Sequence, residues 1–137
     1  MTLVAEATTS RTQSSPVDVS LLVPAKDEAA NLPEFVKLCA ESLGPAPFSF
    51  EVVVVNDGSR DATAQVLEEL SASYPFLQVV THRRQRGIAD ALRSAGDAAR
   101  GDIFVFYPAD LQYLPEHIPA LVAPILGVAE GALADFV

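Results

Sequence analysis

The strongest constraint on this chain is a repeating alternation of two patterns. Short, largely apolar runs rich in β-branched residues stand at 19–23, 50–55, 77–81 and 103–107, the second with four consecutive valines. A strand with one wet face would alternate apolar and polar residues; these runs do not, which suits strands covered on both faces. Between them lie segments with apolar residues at helical spacing. A parallel neighbour needs a crossover of a dozen or more residues, usually a helix. The order therefore predicts an α/β fold: a mostly parallel sheet flanked by helices on both faces.

Each connecting segment has its own signals. Asn31 is placed to cap the first helix, Pro33 falls in its first turn, and Glu34 stands three after Asn31 as in a capping box. Leu32, Phe35, Val36, Cys39 and Leu43 share one face, and Gly44 and Pro45 end the helix. The second helix, about 61–74, turns Val66, Leu67 and Leu70 inward. The third carries Ile88, Ala91, Leu92, Ala95 and Ala99 at helical spacing. Pro115 opens a fourth with Ile118, Leu121, Val122 and Ile125 on one face, and residues 134–137 begin a fifth strand. Residues 1–16, rich in Ser, Thr and Gln, read as a flexible lead-in to a single domain over 17–137.

Charge and cysteine content narrow the function. The 137 residues include 9 Lys+Arg against 18 Asp+Glu, a net charge of −9. A general nucleic-acid binder is disfavoured, because polyanions are repelled at long range. The single cysteine, Cys39, allows no intrachain disulfide and points to a reducing, cytoplasmic setting. No apolar run reaches the ~20 residues of a membrane span. The N-terminus lacks the basic and apolar regions of a signal peptide.

In an open parallel sheet, ligands bind outside the carboxyl ends of the strands. Polar groups gather there: Lys26, Asp27 and Glu28 after the first strand, and Asn56 and Asp57 after the second. Arg83, Arg84 and Arg86 follow the third, and Asp110 and Gln112 the fourth. The opposite ends, with Asp18, Ser49, Glu51, Gln78 and Asp102, are plainer. Asp57, Asp110 and Gln112 suit a hard divalent ion, Mg²⁺ or Mn²⁺, shared with substrate phosphates. That chemistry fits a nucleotide-diphosphate donor.

Plainer readings stand beside these. Asp57-Gly58 is also a favoured turn pair. The arginines of 83–86 read as a solvated loop, with a clamp on a donor diphosphate as the functional alternative. Lys26 and Asp27 read as a weak surface pair. His82 reads as a strand-terminal surface residue, with a site-facing orientation as the alternative. Cys39 reads as a small core group. Tyr107 and Tyr113 either pack around a donor or flank a strand end. A receiver domain needs an acid after the third strand, where His82-Arg83-Arg84 stands. A dinucleotide-binding domain needs G-x-G-x-x-G after the first strand, where Pro-Ala-Lys-Asp-Glu stands.

Four motifs in order resemble family 2 glycosyltransferases. Residues 23–32, VPAKDEAANL, are similar to that family's "P-A-Y-N-E…N-L" opening, and 54–63, VVNDGSRDAT, to its "V-D-D-G-S-x-D-x-T". Residues 86–93, RGIADALR, resemble "G-x-x-x-A-L-x-x-G", and 99–112 resemble "A-x-G-D-…-D-A-D-L-Q". The run ADLQYLPE at 109–116 is nearest the dolichyl-phosphate mannosyltransferase-like members.

The resemblance implies a GT-A nucleotide-sugar-binding fold and an inverting transfer from a nucleotide-diphosphate sugar to a lipid-phosphate or glycan acceptor, such as a polyprenyl phosphate, at the cytoplasmic membrane face. It implies that Pro24, Ala25 and Glu28 line the nucleotide and that Asp57 hydrogen-bonds the base. Asp110 would hold the metal and diphosphate, with Gln112 as a second metal contact. Two departures qualify it: Pro108 replaces the first acid of the D-x-D motif, and Asn56 replaces another acid. The family's acceptor elements and general base are expected beyond Val137, so the chain reads as the N-terminal, nucleotide-binding half, a fragment prone to self-association through an exposed strand edge. The alternative is a non-catalytic nucleotide-binding module.

Overall fold

The computed structural model describes residues 5–7, 17–110, 115–120 and 122. Strand β1 (Ala5–Ala7) is followed by β2 (Val17–Ala25), α1 (Leu32–Leu43), β3 (Phe50–Asp57), α2 (Thr63–Ser73), β4 (Leu77–His82), α3 (Ile88–Ala98) and β5 (Gly101–Phe106). A short 3₁₀ turn, Pro115–His117, comes last among the described elements. The sheet order is β1-β5-β2-β3-β4. β2, β3, β4 and β5 are mutually parallel, as the alternation predicts.

The register explains the layers. Side chains alternate across a strand, and both faces here meet helices. Val19, Leu21, Val23, Val52 and Val54 join Phe35, Val36 and Cys39 of α1 and Leu67 of α2 in the larger core. Leu22, Val53 and Val55 face the other way, against Ala91 and Ala95 of α3. All four valines of β3 are inaccessible to solvent, so this interior strand has no wet face along them. Burying each such side chain contributes about 1.5–3 kcal/mol. The α3 layer is narrower. Phe104 and Phe106 of β5 stay half-buried along a hollow of about 380 Å³ beside α3.

Several local expectations change. Residues 5–7 of the lead-in form an edge strand antiparallel to β5. Asn31 makes no side-chain cap; its Nδ2 donates to Glu28 Oε1 at 2.9 Å, so the amide is spent on the preceding loop. Gly44 closes α1 in a right-handed conformation rather than a left-handed one. Ile88 is not a core residue: at the first position of α3 it is 61% exposed. Tyr107 is buried and stacks on Phe35 with ring centroids 6.0 Å apart, which makes it core. Cys39 is buried, and burial pushes its thiol well above the usual range, as fits an inert packing group. Of the expected fourth helix, Ile118 and Val122 are buried in the core. Leu121, Ile125 and the expected strand at 134–137 lie outside the described residues.

Candidate nucleotide-binding site

The carboxyl ends of β2, β3 and β5 open onto one cleft of about 310 Å³. Pro24, Ala25, Glu28, Asp57 and Asp110, five residues expected at the donor site, all line it. The loop after β4 adds Gln85 and Gly87, and Pro108 stands beside Asp110 on the β5 side. The parallel register is the cause. Ala25 lies opposite Asn56, so β2 and β3 end within a residue of each other; β5 ends opposite Leu22, and its continuation through Pro108 and Ala109 brings Asp110 to the same cleft.

The first two loops are laced together. Asp27 sits in the left-handed region, φ 56°, a conformation in which a short polar side chain can bond locally. Its Oδ1 accepts from Arg60 N at 2.7 Å and Asp61 N at 3.2 Å, and its own N donates to Ser59 Oγ at 2.9 Å. The expected pair with Lys26 forms at 3.3 Å, but the backbone bonds dominate. The Arg60 amide, with smaller help from Asp61 and Lys26, holds the Asp27 carboxyl below the usual range against partial desolvation. Glu28 N donates to Thr63 Oγ1 at 3.0 Å, and Thr63 is itself bonded to Asp61. Glu28 is thereby fixed at the cleft by its backbone and by Asn31.

Asp57 is built into the protein more deeply than a turn residue would be. It is 4% exposed. Oδ1 is 2.8 Å from His82 Nδ1 and accepts from Arg86 N at 2.9 Å; Oδ2 accepts from Gly87 N at 3.0 Å. Burial pushes the carboxyl up, but the bonds to His82, Arg86 and Gly87 outweigh it, so it lies below the usual carboxylate range. A carboxylate offers about four lone-pair positions. Three are taken by the protein, which leaves one, on Oδ2. Asp57 is therefore left with one acceptor position for any further partner.

His82 is not a surface residue. It is 6% exposed, and its Nε2 lies 2.8 Å from Ser94 Oγ on α3. The ring bridges β3 and α3 across the end of β4. A register signal existed for this contact. β3 and β4 are parallel neighbours, and Asp57 pairs with His82 at their last rungs.

The arginine cluster divides from the cleft. Arg83, Arg84 and Arg86 line a separate hollow of about 430 Å³ with Thr81 and His82. Their placement does not support a clamp on a diphosphate in the cleft.

Among the described residues, no group of three or more His, Cys, Asp or Glu could hold a metal on protein ligands alone. Gln112 lies outside the described residues. Asp110 is exposed at the cleft and offers one hard carboxylate. Mg²⁺ or Mn²⁺ shared with substrate phosphates commonly takes only one or two protein carboxylates. The donor set fits such a shared ion and does not fit an all-protein cage.

The sequence model of glycosyl transferase family 2 matches residues 20–135. This chain belongs to glycosyl transferase family 2. It is 37% identical over 107 residues to an undecaprenyl-phosphate 4-deoxy-4-formamido-L-arabinose transferase of Pseudomonas fluorescens, covering 77% of this chain and 31% of that protein. It is 36% identical over 117 residues to a dolichol-phosphate mannosyltransferase of Pyrococcus furiosus, covering 85% and 32%. The chain thus spans about a third of the length of the curated relatives it matches.

Among solved structures, S. aureus TarS 1–349 in complex with UDP aligns at a TM-score of 0.68 and 26% identity, over 81% of this chain and 32% of that one. The mannosyltransferase PcManGT of Pyrobaculum calidifontis, in complex with GDP-Man and Mn²⁺, aligns at 0.64 and 25%, over 85% and 34%. The family 2 chain has the parallel sheet and flanking helices of the GT-A glycosyltransferases, as its motifs imply.

Proposed function

We propose that this chain forms the donor-binding part of an inverting glycosyltransferase that moves a sugar from a nucleotide-diphosphate sugar onto a lipid phosphate, such as a polyprenyl phosphate, or onto a glycan. One observation carries the reading: Pro24, Ala25, Glu28, Asp57 and Asp110, drawn from three strand ends, line a single cleft. The relatives named as undecaprenyl- and dolichol-phosphate transferases support the acceptor class. The cytoplasmic membrane face is the matching location. No helix among the described residues is long and apolar enough to cross a membrane.

The roles follow from the chemistry of each group. Pro24 and Ala25 form an apolar wall suited to a base. Asp57, locked by three bonds, offers its remaining lone pair to a base N–H without reorganising. Glu28 offers a carboxylate to the nucleoside. Asp110, with Gln112, would hold a divalent ion and the diphosphate. Such an ion supplies charge stabilisation for a departing nucleoside diphosphate. β4, an edge strand of the sheet among the described residues, is the surface for any self-association.

Calorimetric titration of the folded chain with UDP, GDP and their sugars, with Mn²⁺ or Mg²⁺ present, tests the reading. Saturable, metal-dependent binding of a nucleoside diphosphate is expected. No binding of any of them by a folded sample refutes it.

A second reading, nucleotide binding without catalysis, is favoured by Pro108, whose side chain offers no ligand to a metal or a ribose. It keeps the binding result and forbids donor hydrolysis or transfer. Turnover by this chain excludes it.

A further inference from the structure

The loop between β4 and α3 places three of the chain's nine basic residues in four positions, Arg83, Arg84 and Arg86. All three are exposed. Yet the backbone beneath them is anchored. The buried Asp57 carboxylate takes the amides of Arg86 and Gly87. Gly58, at φ 71°, lies so close that a Cβ there would come 2.2 Å from Gln85 N and 2.4 Å from Arg84 C. His82, at the base of the loop, is locked to Asp57 and Ser94. A merely solvated loop needs none of this.

The arginines do not serve the donor cleft, since only Gln85 and Gly87 of this loop line it. Next in the chain comes Ile88, the one large hydrophobic side chain exposed among the described residues, and it also borders the cleft. Asp90, one turn on, is 3.6 Å from Arg86 and 3.4 Å from Arg93. For Arg83 and Arg84, no ion pair within 4 Å is found among the described residues.

We infer that this anchored basic loop, with Ile88, is a docking surface for an anionic lipid bilayer. Guanidinium groups bond phosphate oxygens in a bidentate fork, and a bilayer presents many phosphates in one plane. Ile88, two residues beyond Arg86 in the chain and exposed, supplies what a soluble anion would not use, an apolar contact at the headgroup boundary. The net charge of −9 does not forbid this, because carboxylates more than about 8 Å away are largely screened at physiological salt. The inference goes beyond the donor reading and does not depend on what occupies the cleft.

Cosedimentation of the full 137-residue chain with vesicles, without nucleotide, tests it. Binding is expected to vesicles of phosphatidylcholine mixed equally with phosphatidylglycerol, and not to phosphatidylcholine alone. Each arginine near the surface contributes roughly fivefold to partitioning. R83Q/R84Q is therefore expected to lower it about 25-fold, R83K/R84K to retain most of it, and Ile88→Ser to weaken it further. Circular dichroism confirms the fold of each variant. Equal partitioning into the two vesicle types overturns the inference, as does unchanged binding by folded R83Q/R84Q. Displacement from the vesicles by millimolar inorganic phosphate, with added salt of equal ionic strength inert, overturns it too, since it would mark a pocket for a free anion.

Discussion

Replacing Asp57 by Asn separates a turn residue from a structural acceptor. The carboxylate serves three donors at 2.8–3.0 Å in a site 4% exposed. The amide keeps one oxygen, which can still serve His82 and Arg86. Its NH₂ then faces the Gly87 N–H, so that a donor opposes a donor. Leaving a buried donor unsatisfied costs about 1–3 kcal/mol, and each retained bond loses about 1 kcal/mol of charge assistance. Together these come to about 4 kcal/mol, a large part of a total stability of about 5–15 kcal/mol. Urea unfolding followed by far-UV circular dichroism should show a lower midpoint with an unchanged slope. The melting temperature should fall by about 15 °C.

The pH dependence follows with the same sign. The folded carboxyl lies below its ordinary value. Its stabilising contribution is therefore present above the unfolded pKa of about 3.9 and is lost as pH falls through the folded value. Asp57→Asn should remove that part of the acid sensitivity. A loss below about 1 kcal/mol, or an unchanged acid profile, would refute the reasoning that Asp57 pins the loop.

Three further outcomes are expected. Gly58→Ala forces a side chain into left-handed backbone against residues 84 and 85, and should cost about 2–4 kcal/mol in thermal melts. Glu51→Ala should cost about 2–4 kcal/mol in urea unfolding, since the buried carboxylate accepts from Ser20 Oγ at 2.7 Å, Arg100 N at 2.5 Å and Gln78 Nε2 at 3.3 Å, yet nucleotide affinity of the folded fraction should not change. Asp110→Asn should lower the metal-dependent affinity for a nucleoside diphosphate, read by calorimetry on folded protein, roughly tenfold or more, as chelation of the metal should also do.

The main elements of the fold were legible because strand burial and helix periodicity are local signals. Four apolar runs became the four parallel strands, and Phe35, Val36 and Cys39 met the sheet as their spacing implies. The clustering of Pro24, Glu28, Asp57 and Asp110 was legible too, since the segments that follow parallel strands emerge at one edge of the sheet. What escaped depends on long-range register. His82 is buried because α3 packs over the end of β4, and its partners are 25 and 12 residues away. Glu51 looked plain at the far end of its strand, yet it pairs with Ser20 across the β2–β3 ladder. Asn31 had the spacing of a cap, but Glu28 offered its amide a nearer partner. Counting rungs between adjacent strands finds the first two; composition does not.

In the function proposed above, one cleft at the carboxyl edge of the sheet receives the nucleotide. Amide chemical-shift mapping with Mg²⁺ and UDP or GDP measures this directly. Perturbations are expected at Ala25, Glu28, Asp57, Gly87 and Asp110, and none at Ser20, Glu51 or Gln78 on the opposite edge. Shifts concentrated on that opposite edge, or around Leu92 and Phe104 beside α3, would contradict it.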